Sequence, residues 1–440
     1  DEEPVLPAIP ADVTGGKPWM DSVVVGNVTP STQTSPVDDL YLYVNKDWIV
    51  SQELSEGSQT LDFDKFAEPR ARVQEVLTGT DLKDHDARQA QLLVQAFTDT
   101  DARDAAGWEP AKQVVDEIRS LKSVDDVSAF LLDAERSAGV PTLARVYNSR
   151  DNENHRWATT IALSIPTFGH TTETMGMNAE NVDTSGSAYQ ARLALVVDVL
   201  ARMGYTEDEA KAAFQNRLGL EKELIGAAAE ASSYEDEDED EARSFTIDQL
   251  DGLAGAFPLR ALAEARGYGQ AQEFKVEDMA DLRAAGTVYD DEHLDALRDY
   301  LICGYVMEAG GWLDTDAFTA WLADYDANEG HVSLTTPERN RSLEETAVNL
   351  EAEILPTPLG RAYVEGCNLA HTKEFMASLC NEAVKTHKQL VNDCAWLSDA
   401  SKKRMTEKLD ALTMQLVYPD EWEDYSGLNL DGLDYYEARK

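Results

Sequence analysis

Cations are scarce in this chain. Its 440 residues hold 38 Lys and Arg against 83 Asp and Glu, a formal charge of −45. Nucleic-acid binding and attachment to anionic membrane surfaces both need clustered positive charge, so the composition argues against either partner. Long apolar runs are missing too. Nothing approaches the roughly 18–20 apolar residues of a membrane-spanning helix, and no basic stretch followed by an apolar one opens the chain as in a signal peptide. Cysteine is rare and confined to the last third: Cys303, Cys367, Cys380 and Cys394. Three two-disulfide pairings or buried free thiols are all compatible with that spacing.

Catalytic signatures are equally thin. The seven histidines, His85, His155, His170, His293, His331, His371 and His387, include no two that are four residues apart. The H-E-x-x-H zinc helix is therefore absent. His371 and Glu374 stand one turn apart in "HTKE", a spacing that reads as a structural polar pair at a helix start. There is no G-x-S-x-G elbow, phosphate-binding loop or CxxC knuckle. The glycines of "GLAGAF" (252–257) and "EAGGW" (308–312) read as helix-end or turn residues. From its own residues the chain offers no catalytic group and no metal ligand set.

Helical periodicity is abundant. Apolar residues recur at three- and four-residue spacing over 86–106, 188–204, 207–231 and 372–397. In the last of these, Phe375, Leu379, Val384, Leu390, Val391 and Cys394 read as one broad apolar stripe. The best strand candidates are "TTIALSI" (159–165) and "TMQLVYP" (413–419). The fold class is mainly α. Seven consecutive acids at 235–241 read as a solvated segment, and the Pro- and Gly-rich opening "DEEPVLPAIPADVTGG" reads as a tether.

Three stretches carry the reading further. "DDLYLYVNKDWI" (38–49) has Asp38 or Asp39 as an N-cap, with Leu40, Tyr43 and Val44 on one face. "PTPLGRAYVEG" (356–366) joins a Pro-bounded turn to a Gly-Arg-x-Tyr-Val-Glu helix start, and "WLSDASKKRMTEKLDALTMQLVYPDEWEDYSGL" (396–428) ends in Tyr-Pro-Asp-x-Trp. In this order they resemble the motifs of the neprilysin-like zinc metallopeptidases, over about 38–428. "FTDTDARDAAGWEP" (97–110) and "LGLEKELIGAA" (218–228) are weaker echoes.

The resemblance implies a large helical domain over 58–413 that covers an active-site cleft. It also implies two segments of the catalytic lobe: 1–57, tether included, and 414–440, cut short. It implies peptide substrates, and zinc in a longer parent protein whose C-terminal catalytic domain follows Lys440 and is this chain's partner. A secreted, surface-anchored or lipoprotein location outside the cytoplasm is expected. In "SQTLDFDKF" (58–66) the family's Gly is lost, and Gln59 stands where mammalian members place a substrate-binding arginine. Phe63 and Asp64 are the candidate substrate-binding residues. The alternative is a stand-alone helical protein, binding peptides or a partner, that has lost the catalytic half.

Overall fold

The computed structural model describes residues 22–24, 35–37, 39–51, 60–62, 67–79, 82–151, 156–163, 184–232, 244–276, 279–329 and 343–440. Helix makes up 69% of it, as the periodicity requires. In chain order the elements are β1 (Ser22–Val24), α1 (Leu40–Ser51), β2 (Thr60–Asp62), α2 (Ala67–Gly79), α3 (His85–Thr98), α4 (Thr100–Ala106), α5 (Glu109–Ser120) and α6 (Val124–Leu132). Then come β3 (Ala144–Asp151), β4 (Arg156–Leu163), α7 (Ser187–Arg202), α8 (Glu207–Ser232), α9 (Ile247–Leu253), α10 (Leu259–Ala265), β5 (Phe274–Val276) and α11 (Met279–Thr287). The last are α12 (Leu294–Ala309), a 3-10 turn (Gly310–Trp312), α13 (Thr315–Glu329), α14 (Leu343–Ile354), α15 (Pro356–Cys367), α16 (Ala370–Asp393), α17 (Asp399–Asp410) and α18 (Tyr435–Arg439). The chain forms two compact units: Asp1–Asp84 with Leu359–Trp422, and His85–Pro358 with Glu423–Lys440.

The second unit is built around α8. Its buried Ala210, Phe214, Arg217, Glu221, Leu224 and Ala228 repeat at alternating four- and three-residue steps, so one seam runs the length of the helix. That seam packs on α7, α11 and α12. Arg217 and Glu221 sit inside it as a buried pair at 3.0 Å, with the guanidinium over the Tyr300 ring at 4.2 Å. A small sheet lies in this unit. β3 and β4 pair antiparallel from Ala144↔Leu163 to Asp151↔Arg156, and β5 adds in parallel at Thr159↔Phe274. The strand expected from residue 159 begins earlier, at Arg156, because its partner β3 extends the ladder.

The helix expected over 86–106 is two helices. Asp99 leaves the helical backbone and its carboxylate accepts the Ala102 N–H at 3.0 Å, starting α4 anew. This turn brings Arg103 into the core. Its guanidinium lies 4.8–5.0 Å from the rings of Phe97, Phe318 and Tyr435 and donates to the Leu313 carbonyl at 2.8 and 3.1 Å. The C-terminal segment is held here as well: Tyr436 shares a 2.6 Å hydroxyl contact with Tyr305, and Gln89 accepts the Leu430 N–H at 2.8 Å. Gly255, in "GLAGAF", turns the chain at φ +61° and packs against Gly286.

In the first unit β1 pairs antiparallel with β2, Ser22↔Asp62 to Val24↔Thr60, while the stretch read as a tether, 1–16, lies outside the described residues. Asp39 caps α1, accepting the Leu42 N–H at 2.8 Å, while Asp38 lies outside the described residues. α1 buries Asn45 and Ile49 and turns Leu40, Tyr43 and Val44 outward.

The single stripe expected along α16 is two faces. At about 100° per residue, Val384, Cys380 and Val391 lie opposite Phe375, Leu379 and Leu390. Val391 is buried, whereas Phe375, Leu379 and Leu390 are 45–63% exposed. Residues 413–419 are also corrected, since they form no strand. Val417 sits at φ +65°, and the Tyr418 carbonyl accepts from the Lys373 ammonium rather than from a neighbouring strand.

Candidate functional site

The motif residues of the first unit meet in space. Helix α15 presents Arg361 and Glu365, one turn apart, toward the segment before α3. The Glu365 carboxylate accepts the backbone N–H groups of Lys83 and Asp84 at 2.9 and 3.1 Å, and Arg361 Nη1 reaches the Asp84 carboxylate at 2.8 Å. The same guanidinium lies over the Trp422 ring at 5.3 Å, and Gly360 faces that indole with room for a Cβ at 3.5 Å. Tyr418 and Trp422 stack at 6.3 Å. In the first turn of α16, Lys373 holds the Tyr418 carbonyl at 2.8 Å and the Asp420 carboxylate at 2.6 Å, with its ammonium 4.1 Å from the Tyr418 ring. Gly-Arg-x-Tyr-Val-Glu and Tyr-Pro-Asp-x-Trp are therefore two halves of one clamp.

That clamp contains no nucleophile and no base poised for proton transfer. It fixes chain segments, and Asp84, Arg361 and Trp422 stand where the chain enters and leaves the first unit. Sequence reading found the two motifs but missed Asp84 and Lys373. Neither belongs to a recognisable spacing; the fold alone brings them to their partners.

A polar cavity of about 350 Å³ lies in the second unit, lined by Arg119, Tyr205, Asn216, Arg298 and Asp299 among others. Arg119 stacks on Tyr205 at 4.3 Å, and Asn216 donates to the Asp299 carboxylate at 2.7 Å. Burial raises the Asp299 carboxyl above its usual range and pushes the Tyr205 phenol to about 12. The lining holds charges of both signs and no histidine or thiol.

His371 and Glu374 are exposed at the start of α16. Among the described residues no three His, Cys, Asp or Glu side chains come together as a metal site. These residues do not fit zinc, which needs about three protein ligands. The four cysteines are free; Cys303 is buried, and desolvation pushes its thiol to about 12. Phe63, Asp64 and the acidic run 235–241 lie outside the described residues. Among the described residues no helix is long and apolar enough to cross a membrane.

Comparison with known proteins gives the family. The profile described as Peptidase family M13, in its N-terminal form, matches residues 36–419, and the chain belongs to that family.

The chain is 22% identical over 400 residues to a zinc metalloproteinase encoded in the scaA 5′ region of Streptococcus gordonii, covering 87% of this chain and 67% of that protein. It is 22% identical over 431 residues to a neutral endopeptidase of Lactobacillus helveticus, covering 91% and 62%. Among solved structures it resembles the open state of the Mycobacterium tuberculosis zinc metalloprotease Zmp1, with a TM-score of 0.72 at 19% identity over 92% of this chain and 62% of that one. It also resembles PepO from Lactobacillus rhamnosis, with a TM-score of 0.66 at 14% identity over 92% and 64%. The chain thus spans 62–67% of the length of these relatives.

Proposed function

We propose that this chain is the N-terminal, non-zinc-binding region of a secreted or surface-anchored zinc metalloendopeptidase, and that its helices wall and gate a chamber that admits peptides. The carrying observation is the family match over 36–419 in a chain that spans about two thirds of its relatives. Chemistry by a metallopeptidase needs zinc on about three protein ligands and a base to activate water. Those groups belong to the C-terminal region of the longer protein. The part played here is size selection and closure over the cleft, and Phe63 and Asp64 are proposed to face the peptide.

The test joins this chain to the C-terminal region in one polypeptide and follows cleavage of a quenched peptide and of a folded protein of similar sequence. The reading expects chelator-sensitive cleavage of the peptide alone. Cleavage of both at equal rates would remove the gating role, and cleavage of neither would favour the stand-alone binding protein.

A further inference from the structure

The clamp leaves the polar cavity of the second unit without a task. That cavity lies wholly within one unit, between the C-terminal end of α5, α8 and the first half of α12. At three- and four-residue steps, Glu209 to Asn216 on α8 and Asp295 to Ile302 on α12 each turn one helical face toward it. Its volume of about 350 Å³ falls in the range of small-molecule sites.

Most polar groups around the cavity already have partners. Arg298 donates to the carbonyls of Arg119 and Leu121 at 3.0 and 2.9 Å and pairs with Asp295. Glu209 accepts the N–H and the hydroxyl of Thr206 at 2.8 and 2.9 Å. Two groups are left over. The Arg119 guanidinium lies over the Tyr205 ring at 4.3 Å, and among the described residues its N–H donors meet no hydrogen-bond acceptor. The Asp299 carboxylate accepts the Asn216 amide at 2.7 Å with one oxygen, while the other accepts nothing among the described residues. Burial raises this carboxyl although Arg298 and Arg119 act against the rise, so its charge is under-compensated. Arg119 is exposed and Asp299 half-buried, which leaves both within reach of a ligand.

Two spare groups of opposite sign select the ligand. A simple anion at Arg119 would face Glu209, Asp295 and Asp299, and a simple cation at Asp299 would face Arg119 and Arg298. A molecule with a carboxylate at one end and an ammonium at the other satisfies both groups through charge-assisted hydrogen bonds. The buried Ala213 and Ile302, with Ala212 beside them, give it an apolar floor for a small aliphatic side chain. We propose that this cavity binds a small zwitterion, a free aliphatic amino acid or a dipeptide, with its carboxylate on Arg119 and its ammonium on Asp299. The inference stands apart from the peptidase reading, since it draws on the cavity alone.

The test is calorimetric titration of the 440-residue chain with L-valine and with L-valyl-L-valine. L-valinamide, which lacks the carboxylate, and N-acetyl-L-valine, which lacks the ammonium, serve as single-charge controls. The expected result is saturable binding of at least one zwitterion at one site per chain. Both controls should bind at least about tenfold more weakly, and Arg119→Gln and Asp299→Asn should weaken the zwitterion by a similar factor. Binding of valine alone identifies the ligand as an amino acid, and binding of the dipeptide alone identifies it as a short peptide. No saturable binding of either zwitterion at millimolar concentration overturns the proposal. Equal or tighter binding of a control also overturns it, as does unchanged binding in both variants, which would put the zwitterion elsewhere. The Arg119 side chain is exposed and makes no hydrogen bond among the described residues, so Arg119→Gln should keep the unfolding midpoint. If it does not, Ala212→Leu, which fills the apolar floor from an exposed helical position, is read in its place against the same outcomes.

Discussion

At the scale of single residues, the second unit depends on polar groups placed where a core would usually exclude them. Arg103 is 2% exposed, and desolvation lowers its pKa from the usual arginine value, yet three rings and the Leu313 carbonyl surround its guanidinium. Arg103→Ala leaves buried carbonyls unpaired and a hole between Phe97, Phe318 and Tyr435. We expect a loss of about 3–5 kcal/mol, measured by denaturant unfolding; a loss below about 1 kcal/mol would show that the site collapses without cost.

His293 bridges two carboxylates, Asp290 at 2.8 Å and Glu223 at 3.2 Å. The hydrogen bond with Asp290 is the main cause of its raised pKa, and the same bond lowers that of Asp290. A raised histidine contributes stability that is complete below its unfolded value of about 6.5 and is lost as pH rises through the higher folded value. The thermal midpoint of the natural chain should therefore fall relative to His293→Gln across that window. Parallel curves would contradict the assignment.

Gly366 is a third case. A Cβ there would stand 2.3 Å from the Val76 side chain, so Gly366→Ala should destabilise by roughly 1–3 kcal/mol despite alanine's better helix propensity. Val76→Ala in the same chain should reverse part of that loss; an additive loss in the double variant would count against the contact.

At the scale of elements, burial decides what a pattern means. α8 was legible in the sequence because its apolar residues fall on one seam and that seam is covered. The sequence also showed α7 and the existence of β4. It did not show the break at Asp99, since a capping carboxylate inside a helical pattern looks like any polar surface residue. Residues 413–419 alternate as a strand would, but a strand needs a partner ladder, and Lys373 takes the carbonyl instead. In the candidate site the two halves of the clamp were visible as motifs, while Asp84 and Lys373 were not, because they join only through the fold.

α17 tests the same point. Met405, Leu409 and Leu412 fall at helical spacing on one face in and just after α17, and full burial of that face would make Leu409→Ala cost roughly 2–5 kcal/mol. The structure leaves Leu409 half-buried and its neighbours exposed. The expected loss in this chain falls to about 1 kcal/mol, against about 2–5 kcal/mol for the fully buried Leu297→Ala. Equal shifts in the unfolding midpoint would contradict that ranking.

At the scale of the whole molecule, the acidic composition, the helical architecture and the match over 36–419 describe a member of peptidase family M13, and we propose that its chemistry lies outside these residues. Three motifs in the right order were enough to identify the family from the sequence, even though none of them carries a reacting group. The structure gives two of them a physical task, the clamp of Arg361, Glu365, Lys373 and Trp422, that explains their residue types without invoking catalysis. The account's central claim is that the zinc and the bond-breaking groups are outside these 440 residues. Metal analysis of the purified chain, run beside a quenched-peptide assay, tests it most directly. The account predicts substoichiometric zinc that mild chelation removes and no turnover; one tightly held zinc per chain with chelator-sensitive cleavage would contradict it.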